Sequence, residues 1–273
     1  MSTPELGHYV IRGGMEGRER LRLLSRVLHR TTADLLERAG IRPGMRCLDM
    51  GCGGGDVTRQ IALLVGSGGS VVGADIDHEK IDIARKEAAE SGLANVEYRL
   101  ADAIRDPFPP EFDSVYARFL LTHLPDRDRA LETMCHALKP GGILIVEDID
   151  FEASFCWPTS PAFDRHCALY TASVRKRGGE PDLGRQLPAM LLAAGLDGVE
   201  VNVVQPAGVR GGEAKLATPI TMEAIAQTVI ADGLATLDEV NEVVDELYRL
   251  ARDERTTMSF PRIVQAWGYR GRH

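Results

Sequence analysis

Apolar positions along the chain follow two rhythms. Between residues 17 and 40, Leu21, Leu24, Leu28, Leu35 and Leu36 recur at mostly helical spacing, which predicts one or two helices. Short apolar runs follow at "MRCLDMG", "GSVVGADID", "VEYRLAD", "FDSVYARFL" and "GILIVEDID", each the length of a buried strand. Helical patterns separate them: one from Thr58 to Val65, "HEKIDIARKEAAESG" with Gly92 as its stop, and "DRDRALETMCHALKPGG", ended by Pro140 and Gly141. Strands alternating with helices of this length predict a parallel sheet with right-handed crossovers.

After about residue 150 the rhythm changes. Helical segments at "SPAFDRHCALYTASVRKRG" and "DLGRQLPAMLLAAG" precede a strand at "DGVEVNVVQP". A helical stretch from "TMEAIAQTVIADG" to "TLDEVNEVVDELYRLARDERT" then leads to a last strand in "TMSFPRIVQAWGYR". The expected fold is α/β: a doubly wound, mostly parallel, seven-stranded sheet with a final antiparallel hairpin and a helical cap. Residues 1–40 are expected to form a helical lid segment and 41–150 the ligand-binding core. Residues 151–273 then complete the sheet and carry the cap.

The stretch "CLDMGCGGGD", residues 47–56, sits where the first strand hands over to a helix. Glycine costs backbone entropy, so a cluster marks a tight bend or a close approach by something else. In such a sheet that something is a nucleotide-shaped ligand outside the carboxyl ends of the strands. A dinucleotide site wants G-x-G-x-x-G. Gly51 and Gly53 supply the first two, but the third place is Asp56, whose charge at a helix N-terminus repels a pyrophosphate. A Tyr-x-x-x-Lys pair is also missing, since Tyr170 is followed by Val174. An NAD(P)-dependent oxidoreductase is therefore the weaker alternative.

The spacing Asp49-x-Gly51-x-Gly53-x-Gly55 instead resembles motif I of the class I S-adenosylmethionine-dependent methyltransferases, and residues from about 40 to 150 match that family in order. The resemblance implies S-adenosylmethionine as cofactor. Asp75, in "VVGADID", would accept from both ribose hydroxyls, which suits a carboxylate. Its alternative role, capping the next helix, fits Asp77 better. Ile76 would lie on the adenine face, with Asp102 and the amide of Ala103, in "LADA", at the adenine edge. A plain turn role is the alternative for Asp102. Asp49 would bond loop amides, or the methionine ammonium through water, beside Gly51, Cys52 and Gly53, and Arg118 in "ARFLLTHL" completes the cofactor set. Tyr9 and Arg12, in "HYVIRGG", are expected to close as a lid over the methionine end, with plain surface as the alternative.

The family's chemistry is sparse: hold the methyl in line with a nucleophile and exclude water. Phe151, Phe155, Trp157, Phe163 and Tyr170 read as an aromatic cap that suits a small organic acceptor, methylated on O, N or C, with ordinary core packing as the alternative. A non-methylating or regulatory binder of the same cofactor is the alternative. His123, following "ARFLLT", is the candidate general base, with Glu147 and Asp148 (and Asp150) as acidic neighbours and His166 as a weaker candidate. Positioning without any base is the alternative to that role.

Composition narrows the partners. A formal net charge of −8 argues against nucleic acid, and the basic runs "RERLRLLSRVLHR" and "SVRKRGG" fit solvated helix faces. The chain lacks an apolar run of the roughly eighteen residues that a membrane span needs, and "MSTPELGHYV" lacks a signal-peptide core, so a cytoplasmic location is expected. Five cysteines without metal-type spacing read as reduced thiols, with no metal site expected. Homo-oligomerisation is compatible with all of this.

Overall fold

Eight helices and ten strands follow one another among the residues that the computed structural model describes, 14–209 and 212–272. Their order is α1 (Gly14–Arg38), β1 (Arg46–Met50), α2 (Asp56–Val65), β2 (Ser70–Asp75), α3 (His78–Glu90), β3 (Val96–Leu100), β4 (Phe112–Arg118), α4 (Arg127–Ala137) and β5 (Leu138–Asp150). The second half continues with β6 (Cys156–Trp157), α5 (Pro161–Lys176), α6 (Leu187–Ala193), β7 (Leu196–Val204), β8 (Ala207–Gly208), α7 (Glu213–Ala231), α8 (Leu237–Arg252), β9 (Thr257–Ser259) and β10 (Arg262–Arg270). Tyr9 and Arg12, the expected lid residues, lie outside the described residues.

Seven strands form one sheet in the order β3-β2-β1-β4-β5-β10-β7. Neighbours from β3 to β5 are parallel, while β10 runs antiparallel to both β5 and β7. The inner strands alternate with period two. Leu48, Met50, Val72, Ala74, Val115 and Ala117 pack on one face, and Cys47, Val71, Tyr116, Ile143 and Ile145 on the other. Both faces are apolar because helices cover both. A third cluster joins α1, α5, α7 and α8, through Leu24, Leu28, Phe163, Tyr170, Met222, Ile225 and Leu247 among others. The chain leaves β1 toward β3 and then crosses back to β4, so a crevice opens between β1 and β4 at their carboxyl ends.

Three boundaries differ from the sequence pattern. α1 is a single helix of 25 residues. The last strand is broken before Arg262: Pro261 has no N–H for a ladder, and β9 pairs instead with β6 and β8 in a small second sheet. α7 starts at Glu213 and runs through Pro219. Its first turns are anchored by the buried Lys215, whose Nζ donates to the Asp253 carbonyl at 2.6 Å and to Thr256 Oγ1 at 2.6 Å. Among the described residues no helix is long and apolar enough to cross a membrane.

Candidate active site

The glycine turn is tied to the end of the neighbouring strand. Gly51 and Cys52 donate their N–H groups to the Ala74 carbonyl at 2.7 and 2.9 Å, and Gly53 N–H donates to Asp75 Oδ2 at 2.8 Å. The other oxygen of Asp75 accepts from Asp77 N–H at 2.9 Å. Asp77, not Asp75, caps α3, accepting from the amides of Glu79 and Lys80. Each carboxylate oxygen has a second lone pair, so Asp75 can take a further donor on each.

The glycines have different reasons. Gly53 has φ +53°, and a Cβ there would stand 3.3 Å from Leu21 in the mouth of the turn. At Gly55, also left-handed, a Cβ would stand 2.3 Å from the Tyr98 hydroxyl, so this glycine serves packing and does not line the cleft. Gly54 is crowded by Arg18 of α1, which would be 2.7 Å from a Cβ. The Arg18 guanidinium donates to Asp56 at the start of α2 (Nη2 to Oδ1, 2.9 Å) and to Glu87 of α3 (Nε to Oε1, 2.8 Å). Its side chain is 2% exposed. This cross-link clasps α1 onto the turn.

Asp49, Gly51, Cys52, Gly53, Asp75, Ile76, Asp102, Ala103 and Arg118 all line one cleft. Asp49 is buried and accepts from Thr58 Oγ1 at 2.6 Å. Burial pushes its carboxyl up to about 6, against the opposing pull of that hydroxyl and of Arg118. One oxygen of Asp102 accepts from Ile104 N–H at 2.8 Å, so this residue shapes its own turn as well as lining the cleft.

The far wall comes from the helices. α1 contributes Arg20, Leu21 and Leu24; α5 contributes Phe163, His166, Cys167 and Tyr170; α7 contributes Ala217, Thr218 and Thr221. Phe151 stacks on Tyr170 with ring centres 3.9 Å apart and planes 13° apart. Phe119 joins this wall at φ +53°, a left-handed conformation that costs an aromatic residue about 1–2 kcal/mol. With its mouth, the cleft holds about 1670 Å³ of empty space.

The α1 and α7 residues were missed from sequence. Arg20 carried the available signal: it stands at i−4 and i−8 from Leu24 and Leu28, so an arginine occupies the apolar stripe.

Four expectations are corrected. Glu147 does not line the cleft. It is fully buried, accepting from Thr32 Oγ1 at 2.9 Å, from the Tyr116 hydroxyl and from Gln265 Nε2 at 2.7 Å. Thr32 accepts in turn from Arg118 Nη1 at 3.2 Å, so Glu147 braces the cleft from behind. Asp148 is also buried outside the lining. Its Oδ2 accepts from Thr122 N–H at 3.0 Å, pinning the turn that carries His123 rather than the imidazole itself. Asp150 pairs with Arg262 and Arg185. Phe155 and Trp157 are 45% and 67% exposed, so only Phe151, Phe163 and Tyr170 of the expected aromatics line the cleft.

His123 does line the cleft, from a short turn after β4. It is buried, and desolvation, with Arg20 and Lys80 adding repulsion, pulls its imidazole down to about 3. His166, whose Nδ1 is 3.4 Å from Met222 Sδ, is pulled down to about 3 by burial and by Arg20. Both rings are neutral at pH 7.

A methyltransferase-domain family model matches residues 41–183, more than half of the chain. The ubiquinone/menaquinone biosynthesis C-methyltransferase of Vibrio parahaemolyticus is 38% identical over 130 residues, 47% of this chain and 49% of that protein. The chain thus spans about half the length of this curated relative. A Haemonchus contortus phosphoethanolamine N-methyltransferase 2 in complex with S-adenosyl-L-methionine superposes with a TM-score of 0.55 at 21% identity, over 97% of this chain and 54% of that one. The [4+2]-cyclase SpnF superposes with a TM-score of 0.53 at 24% identity, over 89% and 80%. At these identities the two structures speak to the fold alone.

Proposed function

The chain belongs to the class I S-adenosylmethionine-dependent methyltransferase family, and from that premise we propose that it methylates O, N or C of a small organic acceptor. The observation that carries this reading is Asp75. It ends β2, is locked to the glycine turn, keeps lone pairs for two further donors, and faces a cleft that continues into an aromatic chamber. On this reading residues 41–150 hold the cofactor, and 151–273 complete the sheet and cap the acceptor.

When bound, S-adenosylmethionine supplies an electrophilic methyl on its sulfonium. Asp75 accepts from the ribose hydroxyls, while Ile76, Asp102 and the Ala103 amide take the adenine. Asp49 and Arg118, opposite charges in one cleft, answer the ammonium and carboxylate of the methionine end. Phe151, Phe163 and Tyr170 hold the acceptor's apolar body and keep water out. His123 is a poor base. Burial, with Arg20 and Lys80 adding repulsion, pulls its imidazole well below the ordinary value, so it takes up a proton reluctantly at pH 7. The chain therefore works by alignment, with an acceptor that needs no strong base from the protein.

The test is the formation of S-adenosylhomocysteine from S-adenosylmethionine when a small-molecule extract is added to the purified chain. Extract-dependent turnover is expected. Tight cofactor binding with no turnover over a broad set of extracts would instead select the non-methylating alternative.

A further inference from the structure

A row of polar side chains crosses four strands of the sheet. Arg118 stands opposite Glu147 in the β4–β5 pairing, Glu147 opposite Gln265 in β5–β10, and Gln265 opposite Asn202 in β10–β7. Residues paired in this way share one face. Two positions away on that face stand Tyr116 on β4, Ile145 and Ile149 on β5, and Ile263 and Trp267 on β10, all buried in apolar clusters. The polar row thus interrupts a face that is otherwise aliphatic or aromatic.

Buried polar groups cost free energy unless each finds its partners. Here they do, and every bond has a definite direction. Asn202 Nδ2 donates to Gln265 Oε1 at 2.7 Å, and Gln265 Nε2 donates to Glu147 Oε2 at 2.7 Å. The other oxygen of Glu147 accepts from the Tyr116 hydroxyl and, at 2.9 Å, from Thr32 Oγ1 of α1. Glu147, Gln265 and Thr32 are fully buried. A guanidinium can only donate, so the Thr32 oxygen accepts from Arg118 Nη1 at 3.2 Å while its single proton goes to Glu147. Of the four residues in the row, only Arg118 lines the cleft. An apolar row of similar volume would serve the sheet's stability as well or better. What the polar row adds is a guanidinium in the cleft wall that is held from behind at one of its N–H groups.

We propose that Glu147 is a positioning residue for the cofactor. Acting through Thr32, it holds Arg118 where the guanidinium meets the carboxylate of the methionine end. An arginine ordered before the ligand arrives loses less freedom on binding, so its contact with an anion is tighter. The proposal rests on the methyltransferase reading above and adds to it residues that never touch the cofactor.

The experiment is calorimetry on the full chain with two ligands. One is S-adenosylhomocysteine; the other is its decarboxylated analogue, 5′-deoxy-5′-(3-aminopropylthio)adenosine, which keeps the amine and lacks the carboxylate. The ratio of their dissociation constants reads the carboxylate's contact and cancels the rest of the site. The wild type should prefer S-adenosylhomocysteine about ten-fold or more, and Arg118→Met should bring the ratio near one. Glu147→Gln and Thr32→Val should each lower the ratio at least about three-fold while keeping the analogue's affinity within about two-fold. Thr32→Ser, which retains the hydroxyl, should keep the wild-type ratio. Thr32→Val exchanges only a hydroxyl for a methyl, so it decides where Glu147→Gln folds poorly. An equal loss for both ligands would make the row a support of the fold and overturn the proposal. An unchanged ratio in either folded variant would also overturn it, and a collapsed ratio in Arg118→Met would then leave Arg118 on the carboxylate. A wild-type ratio near one would remove Arg118 from the carboxylate and the proposal with it. Failure of the wild type to bind S-adenosylhomocysteine at all would defeat the cofactor reading itself.

Discussion

Both oxygens of Asp75 already accept a backbone N–H, so a ribose would meet a carboxylate whose position is fixed. Asp75→Ala removes a charged acceptor from two hydroxyls and should weaken S-adenosylhomocysteine binding by about 2 kcal/mol or more, roughly thirty-fold. Calorimetry on the folded variant checks this; unchanged affinity would remove Asp75 from the ribose. Asp49 gives a pH dependence with a definite sign. Its folded value, about 6, lies above the ordinary carboxyl value of 3.8, so its burial favours the folded state at low pH. That contribution fades as pH rises from about 4 through 6. Cofactor affinity runs the other way, because the methionine ammonium prefers the ionised form: it should rise between pH 5 and 7 and flatten in Asp49→Asn. For His123→Ala the expected loss in kcat is under about ten-fold, with no limb of the pH–rate profile near neutrality removed. A hundred-fold loss that erased such a limb would restore the histidine as base. Asp75 was legible in the sequence because its position after an apolar run dictates where it ends up. Glu147 was not, because strand alternation gives a face but cannot say that Tyr116, Thr32 and Gln265 wait there.

Among the elements, α1 changes meaning most between sequence and structure. Its leucines announced a helix, yet its arginines decide what it does: Arg18 clasps the glycine turn and Arg20 faces the cleft. Replacing Arg18 by methionine removes the buried partner that Asp56 and Glu87 share, leaving Arg59 paired with both. A loss of about 2 kcal/mol is expected, roughly 4–8 °C in Tm for a chain of this size. Burial opposes ionisation of Glu87, but Arg18 and its neighbours outweigh it and hold the carboxyl down to about 2. The stability from that group is therefore complete above about 4.5 and is lost as pH falls toward 2, so Arg18→Met should lose part of the wild type's acid resistance. Thermal melts at pH 7 and pH 3.5 measure both effects. A variant that melts with the wild type at both values would reduce the clasp to a surface contact. The broken last strand was foreseeable at Pro261, whereas the early start of α7 was not, because it depends on Lys215 reaching carbonyls far along the chain.

At the scale of the molecule, alternating apolar runs and helical patterns were enough for the seven-stranded sheet and its antiparallel finish, since each run is long enough for one buried strand. Strand order fixes the crevice between β1 and β4, and the glycine turn fixes which end of it is polar. The aromatic side of the cleft was legible in Phe151, Phe163 and Tyr170, but its helical wall was not: that wall joins Arg20 to Thr221 across some two hundred positions, and no local pattern connects them. The most direct test of the whole reading is a calorimetric titration of the purified chain with S-adenosylhomocysteine, run beside NAD. One site per chain with micromolar affinity for S-adenosylhomocysteine, and no heat of binding from NAD, is the expected result. No binding of S-adenosylhomocysteine by the folded chain, or binding of NAD in its place, would contradict it.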